Sequence, residues 1–82
     1  MWVLTHYKNL VNLNYVREIT LGTSSDTRPL TGTIYPIFYQ PNDDNNSYDL
    51  AVYKSSAECK AAYAELCDAL MAGEVLFKMP KG

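Results

Sequence analysis

Ser55-Ser56-Ala57-Glu58-Cys59-Lys60-Ala61-Ala62-Tyr63-Ala64-Glu65-Leu66-Cys67-Asp68-Ala69-Leu70-Met71-Ala72-Gly73 is the stretch that separates an α+β chain from an all-β one. Ser55 and Glu58 stand at the spacing of a capping box, in which the hydroxyl accepts a first-turn amide and the carboxylate reaches back. Gly73 is the residue type that ends helices in a left-handed conformation. Between them, at about 100° per residue, Cys59, Tyr63, Leu66 and Leu70 form one stripe, flanked by Ala62 and Cys67. The pattern predicts a helix that starts at the Ser55 cap, stops at Gly73 and lays this stripe on a sheet. Its other side carries Ala57, Ala61, Ala64 and Ala72, interrupted by Asp68 and bordered by Glu65. Those alanines either supply helix propensity or let a second helix approach closely.

Working back from the helix, the chain reads as extended. Residues 2–7 alternate as a strand, with Trp2, Leu4 and His6 on one face, and Lys8-Asn9 suits a tight turn into a return strand over residues 10–13. After Asn14-Tyr15, residues 16–21 resume a strand that Gly22 ends. Residues 33–39 have the strongest strand composition, yet Pro36 lacks a backbone donor, which confines the strand to an edge or a bulge. Residues 41–47 favour a turn, and residues 48–53 return as a hairpin partner. Residues 23–32 are polar, with Leu30 as their single aliphatic side chain, and are expected to be a mobile connection. Beyond the helix, Glu74-Val75-Leu76-Phe77-Lys78-Met79-Pro80 is too apolar to hang in water and must dock on its own domain or on a neighbouring subunit.

The expected architecture is therefore α+β in a single domain, residues 1–82. A twisted antiparallel sheet of four to five strands carries one C-terminal helix packed on it and a short apolar tail. Eighty-two residues leave room for one core and no second domain. A core this small is marginal on its own, and oligomerisation is one inexpensive addition to it. The apolar share of 48 % with 20 % charged residues is that of a folding chain. The net charge of −2 offers no basic field for a phosphate backbone, so nucleic acid is an unexpected partner. The start, Met1-Trp2-Val3-Leu4-Thr5-His6-Tyr7, lacks the pattern of a secretory signal, and no stretch reaches membrane-spanning length, so a cytoplasmic location is expected and no membrane partner.

Catalytic motifs are missing from the sequence. His6 is the single histidine and has no acidic neighbour in sequence, so a structural role is expected for it rather than that of a general base. Cys59 and Cys67 lie about 12 Å apart along a helix, too far to bridge each other, and read as free thiols, the alternative being an intermolecular disulfide. One histidine with two cysteines at this spacing makes no zinc site, and the acidic run Asp43-Asp44-Asn45-Asn46 lacks the loop glycine and terminal glutamate of a calcium-binding hand. Gly22 and Gly32 are isolated and form no phosphate-cradling loop. No enzymatic activity, metal or cofactor is expected.

Two features point instead to binding. Tyrosines are frequent along the strands, and any left exposed would offer an amphipathic contact surface. Arg28 lies among the hydroxyls of Ser25 and Thr27, a combination able to clamp phosphate or ribose oxygens while a tyrosine stacks on a base. The candidate ligand site is thus Arg28, Thr27, Ser25, Tyr35, Tyr39 and Arg17. The candidate oligomer interface is Ala57, Ala61, Ala64, Val75, Leu76 and Phe77.

Trp2-Val3-Leu4, then Asn9-Leu10-Val11-Asn12-Leu13-Asn14-Tyr15-Val16 and Ile19, resembles the opening of many short uncharacterised bacterial and phage proteins, which begin with a strand, a turn and an "NLVNL" run and end in a capped helix. The resemblance covers both ends of the chain and brings no catalytic motif. It implies a small, cytoplasmic, often self-associating protein carried by a phage or mobile element and acting by occupancy. On this basis the expected function is non-enzymatic sequestration of a nucleotide-like small molecule at a junction of a homo-oligomer, countering host defence. Two alternatives stand beside it. One is an inhibitor that blocks a host defence protein through an aromatic surface of Tyr35, Ile37, Tyr39 and residues 75–77; the other is a structural or transcription-associated accessory protein.

Overall fold

The computed structural model describes residues 1–22, 26–28 and 32–81, which form an α+β fold of seven strands and one helix. In chain order these are β1 (Trp2–Leu4), β2 (Leu10–Asn12), a single 3-10 turn (Leu13–Tyr15), β3 (Val16–Leu21), β4 (Asp26–Arg28), β5 (Gly32–Pro41), β6 (Tyr48–Tyr53), α1 (Ser56–Ala72) and β7 (Leu76–Lys78). The strands divide between two sheets, where the sequence suggested one. β1 is the centre of the smaller sheet, antiparallel to β2 and parallel to β7. β5 organises the larger one and pairs antiparallel with β3, β4 and β6. β3 and β6 share partners Ile37, Phe38 and Tyr39, so they flank β5 on opposite edges there.

Of the two places expected for a strand containing Pro36, an edge or a bulge, β5 is no edge, but its pairing with β6 shifts register between Ile37 and Phe38, beside the proline. Tyr35 and Ile37 pair with Tyr53 and Ala51, leaving Pro36 opposite Val52. On the β3 side the Pro36 carbonyl accepts the N–H of Gly22 at 2.9 Å, just past the end of β3, so the missing donor interrupts no continuing ladder. Gly22 permits this approach, since a Cβ there would stand 2.5 Å from the Pro36 carbonyl oxygen. Residues 23–32 also differ from expectation in their described part. Asp26, Thr27 and Arg28 pair with Ile34, Thr33 and Gly32 as a strand rather than a mobile connection. Ladder bonds use backbone groups, so the polar composition of that stretch concealed the strand.

The helix forms as its caps dictate. Ser55 Oγ accepts the N–H of Glu58 at 3.2 Å, satisfying a first-turn donor. At the other end Gly73 has φ 72°, its N–H and that of Glu74 returning to the carbonyls of Leu70 and Ala69. The helix packs on β3, β5 and β6 through Cys59, Ala62, Leu66 and Ala69. This face is rotated from the expected stripe: Ala69 is buried whereas Leu70 stays 44 % exposed, and Tyr63 is half-buried. A small residue lets the helix axis come close to the sheet, so packing distance outweighed the apolarity of Leu70. Val3, Ile37, Leu50, Ala51, Tyr53 and Met79 complete the core from both sheets.

The tail docks on its own domain. Val75 O accepts the N–H of Trp2, residues 76–78 pair in register with residues 2–4, and Met79 donates its N–H to Leu4 O at 3.0 Å before burying its side chain. Among the described residues no helix is long and apolar enough to cross a membrane.

Candidate functional site

Where the two sheets meet, His6 serves as a one-residue edge for β6. Its backbone N–H donates to Leu50 O at 3.0 Å, and its ring Nδ1 accepts the N–H of Val52 at 3.2 Å, so the outward groups of two alternate strand residues are satisfied by one side chain and its own amide. Because Nδ1 accepts, the proton resides on Nε2, which donates to Pro80 O at 2.6 Å. Tyr53 Oη donates to the same carbonyl at 2.7 Å, and its ring meets that of His6 edge-on with centroids 4.9 Å apart. Burial pushes the Tyr53 phenol well above its ordinary pKa, which holds it as a hydroxyl. The carboxyl end of the tail is thereby fixed to both sheets by a histidine and a tyrosine.

This junction encloses a cleft of about 760 Å³, within the range of small-molecule sites. Leu4, Val52 and Met79 give it apolar walls, and His6 and Tyr53 lie at its side. Lys8, Lys54, Lys78 and Lys81 surround it, four of the five lysines in the chain. They come from three separate segments: the turn after β1, the end of β6, and β7 with the residues that follow. None of the described carboxylates lines the cleft, and among the described residues no lysine has an ion-pair partner. A chain of net charge −2 thus concentrates most of its lysines at one concave place.

Lys8 reaches the rim through an unusual backbone. Thr5 closes the turn, its Oγ1 accepting the N–H groups of Tyr7 and Asn9 and its carbonyl accepting that of Lys8. Lys8 itself has φ 64°, the one non-glycine residue with positive φ among those described. The turn is therefore Thr5 to Lys8, centred on His6-Tyr7, two residues earlier than the Lys8-Asn9 pair expected from sequence.

Both ring nitrogens of His6 and the Tyr53 proton are committed to structural bonds, which leaves neither as a ready proton acceptor for a substrate. Cys59 is buried against Pro36 O, and burial pushes its thiol pKa up, away from nucleophilic character. No cluster of metal-ligating groups occurs among the described residues. The free polar groups on the side chains around the cleft are mainly ammoniums, which donate and do not accept.

No protein-family model, curated protein or solved structure matches this chain.

The described residues among those expected for the site do not line this cleft. Arg28 makes a two-point pair with Asp49, Nη1 to Oδ2 and Nη2 to Oδ1, the latter at 3.1 Å, and Tyr7 Oη donates to the same carboxylate at 3.1 Å. Burial first, and then the Asp49 charge, raise the pKa of Tyr7. Thr27 is exposed on β4, and Ser25 lies outside the described residues. Tyr35 is half-buried on β5, while Tyr39 leans on Tyr48 with ring centroids 5.7 Å apart. Arg17 Nη2 donates to Asn42 O at 2.8 Å and borders a shallow groove of about 300 Å³ with Leu13, Val16, Ile19 and Leu70. The structure brings Arg28 and Asp49 together, and of the described residues among the six expected only Arg17 borders either of these two cavities.

Of the expected interface residues, Ala57, Ala61, Ala64, Val75 and Leu76 are exposed and Phe77 is half-buried against the core. The aromatic surface expected for an inhibitor loses Ile37, which is fully buried. A different apolar face exists instead. Register places Trp2, Leu4, Leu10 and Leu76, together with Asn12 and Lys78, on one side of the smaller sheet, opposite Val3, Val11 and Phe77, and Trp2, Leu10 and Leu76 are all exposed there.

Proposed function

We propose that this chain is a non-enzymatic binding protein that holds a small anionic, nucleotide-like ligand in the lysine-rimmed cleft and acts by occupancy. The observation that carries this reading is the segregation of charge: four lysines around an apolar-walled cleft that no described carboxylate lines. Such a cleft raises the local concentration of an anion and gives its uncharged part a surface to cover. It replaces the Arg28 cluster as the centre of the proposal, because Asp49 already occupies that guanidinium. The similarity to short phage proteins supplies the setting: capture of a nucleotide signal used in host defence.

Self-association belongs to the same proposal. Val75 at 79 % and Leu76 at 58 % exposure are apolar surface that a second copy would cover. Native mass spectrometry on gently purified protein reads both parts together. The expected spectrum is a discrete homo-oligomer with an added mass of a small molecule, and a bare monomer that takes up no nucleotide would overturn the proposal.

A second reading rests on the exposed face of Trp2, Leu10 and Leu76, a set of apolar anchors suited to a protein partner. Under it the chain inhibits a host protein through this face, and Trp2→Ala would abolish capture of that partner while leaving the cleft's nucleotide binding intact.

A further inference from the structure

We propose that the ligand of the lysine-rimmed cleft carries two linked phosphoryl groups, and that the site recognises those groups rather than the base; this rests on the anion-binding function proposed above. The first ground is charge. Lys8, Lys54, Lys78 and Lys81 bring four positive charges to the cleft, and the described carboxylates offset none of them there. A phosphate monoester carries about −1.5 to −2 at neutral pH, so one phosphate leaves roughly half of this charge unmatched and two phosphoryl groups come close to matching it.

The second ground is placement. The lysines stand on three segments around about 760 Å³, far more space than one phosphate fills, so an anion held at one segment leaves the others facing water. A diphosphate spans more of that rim. The third ground is the chemistry of the walls. His6 and Tyr53 have given their protons to Pro80 O, Thr5 Oγ1 already accepts two amide N–H groups, and Leu4, Val52 and Met79 are apolar. Lysines serve as point charges for phosphate, and these walls present few side-chain groups able to read the donor and acceptor pattern of a base edge. A base resting on the apolar walls is covered but not distinguished.

Isothermal titration calorimetry on the full chain at low salt separates the possibilities, with inorganic phosphate, pyrophosphate, AMP, ADP, GDP and CDP as probes. Pyrophosphate and the three diphosphates are expected to bind at least about tenfold more tightly than phosphate or AMP, with the diphosphates within about threefold of one another. Lys54→Ala and Lys78→Ala should each weaken diphosphate binding several-fold. Lys60→Ala, which removes the same charge from the helix outside the cleft, should leave it unchanged. Equal affinity for AMP and ADP would overturn the diphosphate inference while leaving anion binding in place, and a strong preference among ADP, GDP and CDP would overturn its base-indifference. No binding of any probe, or binding lost equally in Lys60→Ala, would overturn both this inference and the function on which it rests.

Discussion

With φ at 64°, Lys8 occupies at the rim of the cleft a left-handed conformation that costs an L-residue roughly 1–2 kcal/mol. Strain held beside a cavity suggests a residue retained for its side chain and not for the turn. Lys8→Gly relieves the strain, less the extra freedom glycine gives the unfolded chain, and should raise stability by up to about 1 kcal/mol while weakening anion binding. Thermal denaturation and a parallel titration with pyrophosphate check this; a lower Tm would show that the lysine side chain supports the turn. Tyr53 presents a second effect at this scale. Its folded pKa is raised by burial, so its contribution is fully present below the ordinary tyrosine pKa of about 10 and is lost as pH rises from there toward the folded value. Stability should therefore fall on the alkaline side. Tyr53→Phe should flatten that fall, at a cost of about 1 kcal/mol at neutral pH for the hydrogen bond to Pro80 O, as measured by denaturant unfolding between pH 8 and 11.

The tail is the element whose docking creates the site, since Lys78, Met79 and Lys81 line the cleft together with residues from β1 and β6. Met79→Ala opens a cavity beneath it and should cost about 2–5 kcal/mol of stability. Diphosphate affinity should drop with it, in a urea titration and a binding titration run on the same sample. If stability falls and affinity holds, the tail lysines bind without needing Met79 to seat them. The helix could be read from sequence nearly to the residue because its stop signals are local: Ser55 and Gly73 cap whatever lies between them. Its orientation could not, because the choice of Ala69 over Leu70 depends on how closely the sheet approaches. Strand β4 was hidden for a related reason, its bonds being made by backbone atoms that residue type barely marks. The apolar tail announced that it must dock, and left open what it would dock on.

At the scale of the whole molecule, the cleft is the feature least visible in the sequence. Lys8 and Lys78 are separated by most of the chain and become neighbours of one cavity only because β7 joins β1 in parallel. The same distance hid a neighbour of Arg28. It stands among hydroxyls in sequence, and in space it also pairs with Asp49, on a strand reached only after β5. Net charge was equally uninformative, since a chain of −2 can still gather its lysines on one side. The pairing of Trp2 with Leu76 and Leu4 with Lys78 has one more consequence, for the life of the chain on the ribosome. Everything through α1 can emerge and begin to collapse while β1 still lacks its parallel neighbour. Closing so long a loop is entropically late and slow, as for sheets built from distant contacts. A nascent chain would therefore keep one edge of β1 unpaired until residues 76–78 follow α1, and under the proposed function it would take up a phosphorylated ligand only after they have docked.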